Sequence, residues 1–212
     1  MFEKERSAMV EVQLKRRGIE DERLLFVMNS VPRHKFVPKE GVSLSYGDFA
    51  VPIGHSQTIS QPFMTALMIE LLNVEEFDKV LEIGSGSGYA TAVLSGLCGK
   101  IIAVEKIPEL AEKSKKLLHE LKITNAKVVC GDGSVGEIHY YPYDRILVSA
   151  ACPEIPKELI SQLRIGGILV APVGGRLRQT LVKIVKTKTG IKESYHGECS
   201  FVPLTGKKGF QR

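Results

Sequence analysis

The spacing of apolar residues divides the chain into a helical N-terminal part, an irregular segment and a long alternating part. Apolar residues recur with a helical period over 3–17 and 21–31, with a break at Gly18, and again over 63–74. The stretch 32–62 has no regular period and contains four prolines and three glycines, so we expect it to be irregular. A segment of that length without helices or strands is more typical of a functional loop than of a connection.

Five short apolar runs follow, each with the composition of a buried strand: 80–83, 101–104, 128–129, 146–148 and 168–171. Helical segments lie between the first runs, one around 90–97 and another that begins at Pro108. The runs hardly alternate between apolar and polar residues, which indicates a sheet covered on both faces. By contrast, 180–187 alternates as an antiparallel strand would, and Gly190 turns the chain toward a last strand near 195–202. These elements predict an α/β fold: a doubly wound, mostly parallel seven-stranded sheet with an N-terminal helical cap and a C-terminal antiparallel hairpin.

Three acidic residues stand at the predicted strand ends, where open parallel sheets bind their ligands. Glu82 lies in the first strand directly before a glycine-rich loop, Glu105 ends the second strand, and Asp132 follows the third. A carboxylate at the second strand end can accept hydrogen bonds from both hydroxyls of a ribose, whether in NAD or in S-adenosylmethionine. Structural interpretations remain open: Glu105 as a surface carboxylate and Asp132 as the cap of a helix or turn.

The loop after the first strand carries Gly84, Gly86 and Gly88, which let the backbone approach a ligand closely. A dinucleotide fingerprint would need glycine or alanine at 84, 86 and 89, and position 89 is Tyr89. The pattern Glu82-x-Gly84-x-Gly86-x-Gly88 instead resembles motif I of the class I S-adenosylmethionine-dependent methyltransferases. A glycine turn that only packs the strand against the helix is the alternative.

A more specific motif lies in the segment 46–65, which contains the run Gln57-Thr58-Ile59-Ser60-Gln61-Pro62. This segment resembles the signature of the protein-L-isoaspartate O-methyltransferases. The resemblance covers roughly residues 30–205, with matching stretches at 31–38, 80–95, 131–136, 142–146, 162–174 and 201–204.

The resemblance implies a Rossmann-like methyltransferase fold, with S-adenosyl-L-methionine as cofactor, S-adenosyl-L-homocysteine as product and no metal. The implied activity is methylation of the free carboxylate of L-isoaspartyl residues in damaged proteins and peptides. The ester would close to a succinimide, whose hydrolysis returns some normal aspartate. This chemistry needs no general base, because a carboxylate with a pKa of about 4 is already ionised near neutral pH. Alignment of donor and acceptor is then the main task of the protein.

Roles for individual residues follow from the same resemblance. Ser60 is the expected catalytic residue, with its hydroxyl on the reacting carboxylate, although Ser60 also suits the N-cap of a helix that begins at Pro62. Asp132 is expected to accept a hydrogen bond from the adenine amine. The expected cofactor-binding residues are Gln57, Thr58, Ile59, Ser60, Glu82, Gly84, Ser85, Gly86, Gly88, Glu105, Lys106, Asp132, Gly133 and Thr205. The expected substrate-binding residues are Ile53, Gly54, His55, Phe201, Val202, Pro203 and Leu204.

These roles suggest a single domain over 1–212, divided by function into three parts. Residues 1–62 are expected to form the N-terminal helices and the active-site loop, 63–175 the cofactor-binding core, and 176–212 the hairpin and a substrate-binding segment. We expect the protein to act as a monomer.

Composition and charge narrow the choice of partners. The net charge is +5, but the densest lysine cluster, at 113, 115 and 116, shares a helix with glutamates, so we interpret it as a solvated helix face and expect no nucleic acid. No apolar run approaches the length of about 20 residues that a membrane span needs, and the N-terminus shows no secretory pattern. The four cysteines are scattered and no histidines are paired, which favours reduced thiols, a cytoplasmic protein and no metal site.

Three other functions compete with isoaspartate methylation as interpretations of the sequence. A nucleic-acid methyltransferase would fit the basic charge, but the sequence after the fourth strand, Ser149-Ala150-Ala151-Cys152-Pro153, lacks an Asn/Asp-Pro-Pro-aromatic motif. It also reverses the Pro-Cys order expected of a cytosine C5 nucleophile, so Cys152 is better interpreted as a small core residue. Tyr89 disfavours a nicotinamide-binding protein. A binding module without catalysis is disfavoured by the intact glycine loop and by Glu105, Asp132 and Ser60.

Overall fold

The computed structural model describes residues 2–211, and Met1 and Arg212 lie outside the described residues. The α-helices are α1 (Glu3–Ala8), α2 (Glu22–Ser30), α3 (Pro62–Leu72), α4 (Tyr89–Ser95), α5 (Pro108–Glu120) and α6 (Lys157–Gln162). The strands are β1 (Val51–Gly54), β2 (Gln57–Ile59), β3 (Lys79–Ile83), β4 (Lys100–Glu105), β5 (Ala126–Cys130), β6 (Tyr143–Val148), β7 (Leu163–Gly174), β8 (Gln179–Thr187) and β9 (Gly190–Cys199).

Seven of these strands form one sheet in the order β5-β4-β3-β6-β7-β8-β9. Strands β3 to β7 are parallel, while β8 is antiparallel to both β7 and β9. The predicted fold class is confirmed, including the C-terminal hairpin of β8 and β9. The chain leaves β3 for β4 on one side and reaches β6 on the other, so the strand order reverses at β3. A ligand cleft is expected at the carboxyl ends of the strands at this point.

Alternate residues of the central strands enter two separate cores, one on each face of the sheet. Val80, Ile101 and Leu147 pack in the core that also contains the buried residues of α2, α3, α4 and α5. Their neighbours Leu81 and Ile146 pack on the opposite face, with α6. Because both faces are covered, the central strands are apolar at nearly every position, which explains the unalternating runs in the sequence.

The N-terminal helical cap is divided as predicted. Helix α1 continues through one wider turn and one tighter turn to Arg17, and Gly18, with φ of 93°, ends it in the left-handed region. The Asp21 side chain then caps α2 by accepting from the backbone N–H groups of Arg23 and Leu24, at 2.9 and 3.1 Å.

The expectation that 32–62 is irregular is wrong in part, because two 3₁₀ turns and the antiparallel pair β1–β2 lie within it. Val51, Ile53 and Ile59 are buried, so the pair is anchored by alternate apolar residues. The turn between the strands has positive φ at His55 and Ser56 (53° and 56°). Turn signals at such positions are normally Asn-Gly or Gly-containing pairs, so this hairpin has no recognisable turn motif in the sequence.

The last strand also differs from its prediction, since it occupies Gly190–Cys199 instead of 195–202. The chain leaves the sheet before Phe201, whose N–H donates to the Gln179 side chain at 2.8 Å. Helix α6 was not predicted from the sequence at all. Within residues 2–211, no helix has both the length and the apolar character needed to cross a membrane.

Candidate active site

A cleft lies at the carboxyl ends of the central strands, at the point where the strand order reverses. It has two adjoining parts of about 450 and 560 Å³, which share Thr58, Gly84, Gly86 and Ser149. We call the part that also contains Ser60, Glu82, Ser85 and Tyr89 the inner lobe, and the part that contains Gln57, Glu105, Lys106 and Thr205 the outer lobe. All predicted cofactor-binding residues except Gly88 and Asp132 line one lobe or both.

The glycine loop between β3 and α4 forms the wall between the lobes. Gly84 and Gly86 have φ of 77° and 53°, a left-handed conformation that favours glycine. Gly88 has φ of 85°, but it faces away from the cleft, where an added Cβ would lie 3.0 Å from the Ser114 Cβ on α5. The packing interpretation therefore holds for Gly88, whereas Gly84 and Gly86 line the cleft.

Glu105, at the end of β4, is held firmly in the outer lobe. It is only 6% exposed. One carboxylate oxygen accepts from the backbone N–H of Gly86 at 2.8 Å and the other from that of Ile107 at 2.9 Å. A carboxylate offers about four acceptor positions, so each oxygen keeps capacity for a further donor. A pair of neighbouring hydroxyls, as on a ribose, matches this arrangement.

Glu82 is a fully buried carboxyl at the floor of the inner lobe. Its oxygens accept from the hydroxyls of Thr91 and Ser149, at 2.6 and 3.2 Å. Burial raises the pKa of Glu82 to about 7; the two hydrogen bonds oppose this shift and the nearby Glu105 charge adds to it. A cation placed in this lobe would favour the ionised form of Glu82.

Asp132 lies beside the cleft and does not line either lobe. One oxygen accepts from the backbone N–H and the hydroxyl of Ser134, at 3.0 and 2.6 Å, and the other accepts from the backbone N–H of Lys207 at 2.8 Å. Desolvation alone would raise the pKa of Asp132, but these hydrogen bonds outweigh it and leave the pKa lowered. The capping interpretation of Asp132 is therefore realised, and its contact with adenine stays a prediction.

Ser60 follows β2 and lies where the inner lobe meets a third opening. Its carbonyl accepts from the Arg33 side chain at 2.7 Å. Its hydroxyl has no hydrogen-bond partner within residues 2–211, and the N-cap of α3 is Gln61, without a side-chain cap. The N-cap interpretation of Ser60 is therefore wrong, and its hydroxyl is available to a ligand.

The third opening, which we call the side groove, is lined by residues 48–50, Gln61, Met64 and 198–202, and it shares Thr58, Ser60 and Phe201 with the inner lobe. Of the predicted substrate-binding residues, Phe201 and Val202 line this groove, while Pro203 and Leu204 line the outer lobe. The side groove and the inner lobe therefore meet at Ser60.

The structure does not bring the remaining predicted substrate residues into the cleft or the groove. Ile53 is buried below the glycine loop, where its side chain faces Gly86. Gly54 and His55 are exposed at the turn of the β1–β2 hairpin. Their contribution to substrate binding stays a prediction without support from the geometry.

Several lining residues were missed by the sequence reasoning. Ser149 and Ala150 line the cleft directly after β6, so the strand-end rule that selected Glu105 could have found them. Tyr89, used only to exclude a dinucleotide site, lines the inner lobe. Asp48 in the side groove carried no recognisable signal.

Cys152 lies in the core behind the cleft. It is completely buried, and burial raises the pKa of its thiol to about 12, which leaves it unreactive at neutral pH. Its interpretation as a small core residue agrees with this position. Within residues 2–211, no group of three or more His, Cys, Asp or Glu side chains is arranged to hold a metal ion.

Comparison with known proteins identifies the family. The family model described as protein-L-isoaspartate(D-aspartate) O-methyltransferase matches residues 4–209. The chain belongs to that family. A protein-L-isoaspartate O-methyltransferase of Methanoculleus marisnigri is 48% identical over 98% of this chain and 94% of its own length. One of Dictyoglomus thermophilum is 47% identical over 99% of this chain and 95% of its own length.

Solved structures of the isoaspartate methyltransferase family share the fold over nearly the whole chain. A protein-L-isoaspartate O-methyltransferase with 29% identity superposes with a TM-score of 0.88, covering 96% of this chain and 67% of the other. A Plasmodium falciparum structure of the same description, in complex with S-adenosyl-L-homocysteine, gives 0.82 with 29% identity and covers 94% and 98%. The sequence resemblance noted for residues 57–62 and the glycine loop therefore extends to the three-dimensional structure.

Proposed function

We propose that this protein transfers the methyl group of S-adenosyl-L-methionine to the free carboxylate of L-isoaspartyl residues in damaged proteins and peptides. Membership of the isoaspartate methyltransferase family over 4–209 supports the reaction. The observation that carries the proposal is that the inner lobe and the side groove meet at Ser60, whose hydroxyl is free for a ligand. Two ligands, one in each opening, would face each other there.

The residues of the cleft fit S-adenosylmethionine. The free acceptor positions of Glu105 in the outer lobe suit the ribose hydroxyls, and Ile107 and Pro203, which line the same lobe, would hold the nucleoside. Glu82 in the inner lobe offers a carboxylate to the cationic methionine end. When bound, this cofactor supplies an activated methyl group on a positively charged sulfur. Gly84 and Gly86 line both lobes and would let the backbone of the glycine loop approach the cofactor without a side chain between them.

Ser60 is proposed to align the acceptor. The isoaspartyl carboxylate, already ionised at neutral pH, would lie at the junction with one oxygen accepting from the Ser60 hydroxyl. The other oxygen would attack the methyl carbon, forming the ester O–C bond as the C–S bond breaks. No proton has to move, so the protein contributes by alignment and by exclusion of water.

The methyl ester would then close to a succinimide outside the enzyme, as the following backbone nitrogen attacks the ester carbonyl and methanol leaves, and hydrolysis would return part of the succinimide as normal aspartate. Isoaspartyl proteins and peptides are accordingly the proposed partners. The monomeric state, the cytoplasmic location and the absence of nucleic-acid and metal partners stay predictions from the sequence.

The test is a radiolabel transfer assay with two peptides of one sequence, one containing L-isoaspartate and the other L-aspartate. A third peptide carries isoaspartate with its free carboxylate converted to the amide. We expect label from S-adenosylmethionine in the first peptide alone. Equal labelling of the aspartyl peptide, or labelling of the amide, would contradict the proposed substrate.

A further inference from the structure

Arg33 is a buried cation close to the active site. It lies on the 3₁₀ turn Arg33–Phe36 that follows α2, and its side chain is completely inaccessible to solvent. Buried arginines are normally paired with a carboxylate, because an uncompensated charge is costly to bury. Among the ion pairs formed within residues 2–211, none includes Arg33. A buried arginine without a counter-ion suggests a role beyond packing.

The guanidinium instead joins three segments of the chain. Its Nε donates to the Ser45 carbonyl and its Nη2 to the Ser60 carbonyl, both at 2.7 Å. Its central carbon lies 4.7 Å from the centre of the Tyr89 ring, a cation–π arrangement. The planar guanidinium therefore fixes the Ser60 peptide relative to both the preceding loop and the start of α4.

Ser60 has few other restraints at this point. It lies outside both β2 and α3, and its side chain caps neither element. Within residues 2–211, Arg33 is the one group that donates to its carbonyl. The orientation of this peptide helps to set the direction of the Ser60 Cα–Cβ bond, so the Arg33 hydrogen bond restrains the position of the hydroxyl.

We propose that Arg33 is the positioning residue of Ser60, a role that rests on the proposed methyl transfer. It aligns the Ser60 hydroxyl with the acceptor carboxylate without touching either ligand. Lysine would keep the charge at this position but could not donate in two fixed directions, because only the guanidinium has a planar fork of donors. The geometry, more than the charge, is thus the property that the reaction needs.

A double-mutant cycle tests this role, using Arg33→Lys, Ser60→Ala and the double variant. We expect Arg33→Lys to lower kcat on isoaspartyl peptide by about ten- to a hundredfold, the order of effect that misaligned reacting groups produce. The Kd of S-adenosylhomocysteine should change less than about threefold, since the guanidinium does not line the lobes. In the Ser60→Ala background the same substitution should change kcat less than about threefold, because there is no hydroxyl left to align.

The controls separate positioning from a general structural role. Lys35→Met removes an exposed cation two residues away and should leave kcat unchanged. Active enzyme is counted by cofactor-binding stoichiometry, so partial unfolding does not lower the apparent kcat. If Arg33→Lys does not fold, Arg33→Gln, which keeps a planar donor group but removes the second arm of the guanidinium, replaces it in the same cycle. A smaller effect of Arg33→Gln in the Ser60→Ala background supports the proposal, and an equal effect in both backgrounds overturns it.

Three results would overturn the role of Arg33. An equal loss of kcat from Arg33→Lys in the presence and absence of the Ser60 hydroxyl would mean a structural role. Wild-type kcat in Ser60→Ala would leave nothing for Arg33 to position, although the proposed reaction would stand. A wild-type enzyme that methylates no isoaspartyl peptide would refute the proposed function itself and the role of Arg33 with it.

Discussion

The buried carboxyl Glu82 predicts that cofactor binding depends on pH. In the free protein its pKa is raised to about 7, chiefly by burial. Below pH 7 the free enzyme therefore holds Glu82 mainly protonated. In the proposed binding mode the ammonium group of the cofactor would enter the inner lobe and favour the ionised carboxylate, so binding should release a proton. Each unit by which the pKa falls on binding corresponds to about 1.4 kcal/mol, a tenfold change in affinity.

The expected result is a Kd for S-adenosylhomocysteine that decreases about fourfold from pH 5.5 to pH 7, if binding lowers the pKa by about one unit. Calorimetry in buffers of different ionisation enthalpy should find proton release that is largest near pH 6.5, about midway between the pKa values of the free and the bound protein. The range ends at pH 7 because Glu82 of the free protein is then already about half ionised.

Glu82→Gln should abolish most of this pH dependence, while Glu109→Gln, at an exposed position on α5, should keep it. A pH-independent Kd in the wild-type protein, or an unchanged pH profile in Glu82→Gln, would refute the reasoning.

The raised pKa of Glu82 also makes folding stability depend on pH. The ordinary pKa of a glutamate is 4.5, and that of Glu82 in the folded protein is about 7. At pH values between these two, Glu82 binds its proton more strongly in the folded state than in the unfolded state. The Glu82 contribution to stability is therefore full below pH 4.5 and falls by about 3 kcal/mol as pH rises to 7.

Three further substitutions give separate tests. Asp132→Ala should weaken S-adenosylhomocysteine binding by about 1–3 kcal/mol, and it should speed hydrogen exchange at the Lys207 amide, which loses its acceptor. An unchanged affinity in calorimetry would show that Asp132 does not bind the cofactor. Cys152→Ala should retain most methyl transfer, since the thiol is a buried core group. A covalent adduct between Cys152 of the wild-type protein and a nucleic acid containing 5-fluorocytosine would contradict the interpretation of the thiol as a core group. Gly88→Ala should lower the unfolding free energy by about 1–3 kcal/mol because alanine is strained at positive φ, and the folded protein should keep its cofactor affinity in calorimetry. A large loss of affinity with unchanged stability would mean that Gly88 contacts the ligand.

The fold was largely predictable because the central strands are buried on both faces. Burial on both sides makes runs such as 80–83 and 101–104 apolar at nearly every position, and this pattern identifies a covered parallel sheet. The β1–β2 pair was not predictable in the same way. Its strands have only four and three residues, and its turn at His55 and Ser56 lacks the usual glycine.

The site was predictable where it depends on local sequence and strand ends. Glu105 and the glycine loop follow from the position of the strands, and Ser60 follows from the family resemblance. Contacts between distant segments carried no such signal. The hydrogen bond from Arg33 to Ser60 spans 27 positions and that from Lys207 to Asp132 spans 75. Only the folded chain shows that these residues meet, which is why the contact between Lys207 and Asp132 and the contact between Arg33 and Ser60 emerged from the structure.

The most direct test of the central claim is to locate the transferred methyl group by tandem mass spectrometry. The substrate is a protein aged to contain isoaspartate, incubated with this enzyme and S-adenosylmethionine. We predict a methyl ester on the free carboxylate of the isoaspartyl residue, lost in mild alkali with formation of a succinimide. An alkali-stable methyl group on a side-chain nitrogen, or esters spread over ordinary aspartates, would contradict the account.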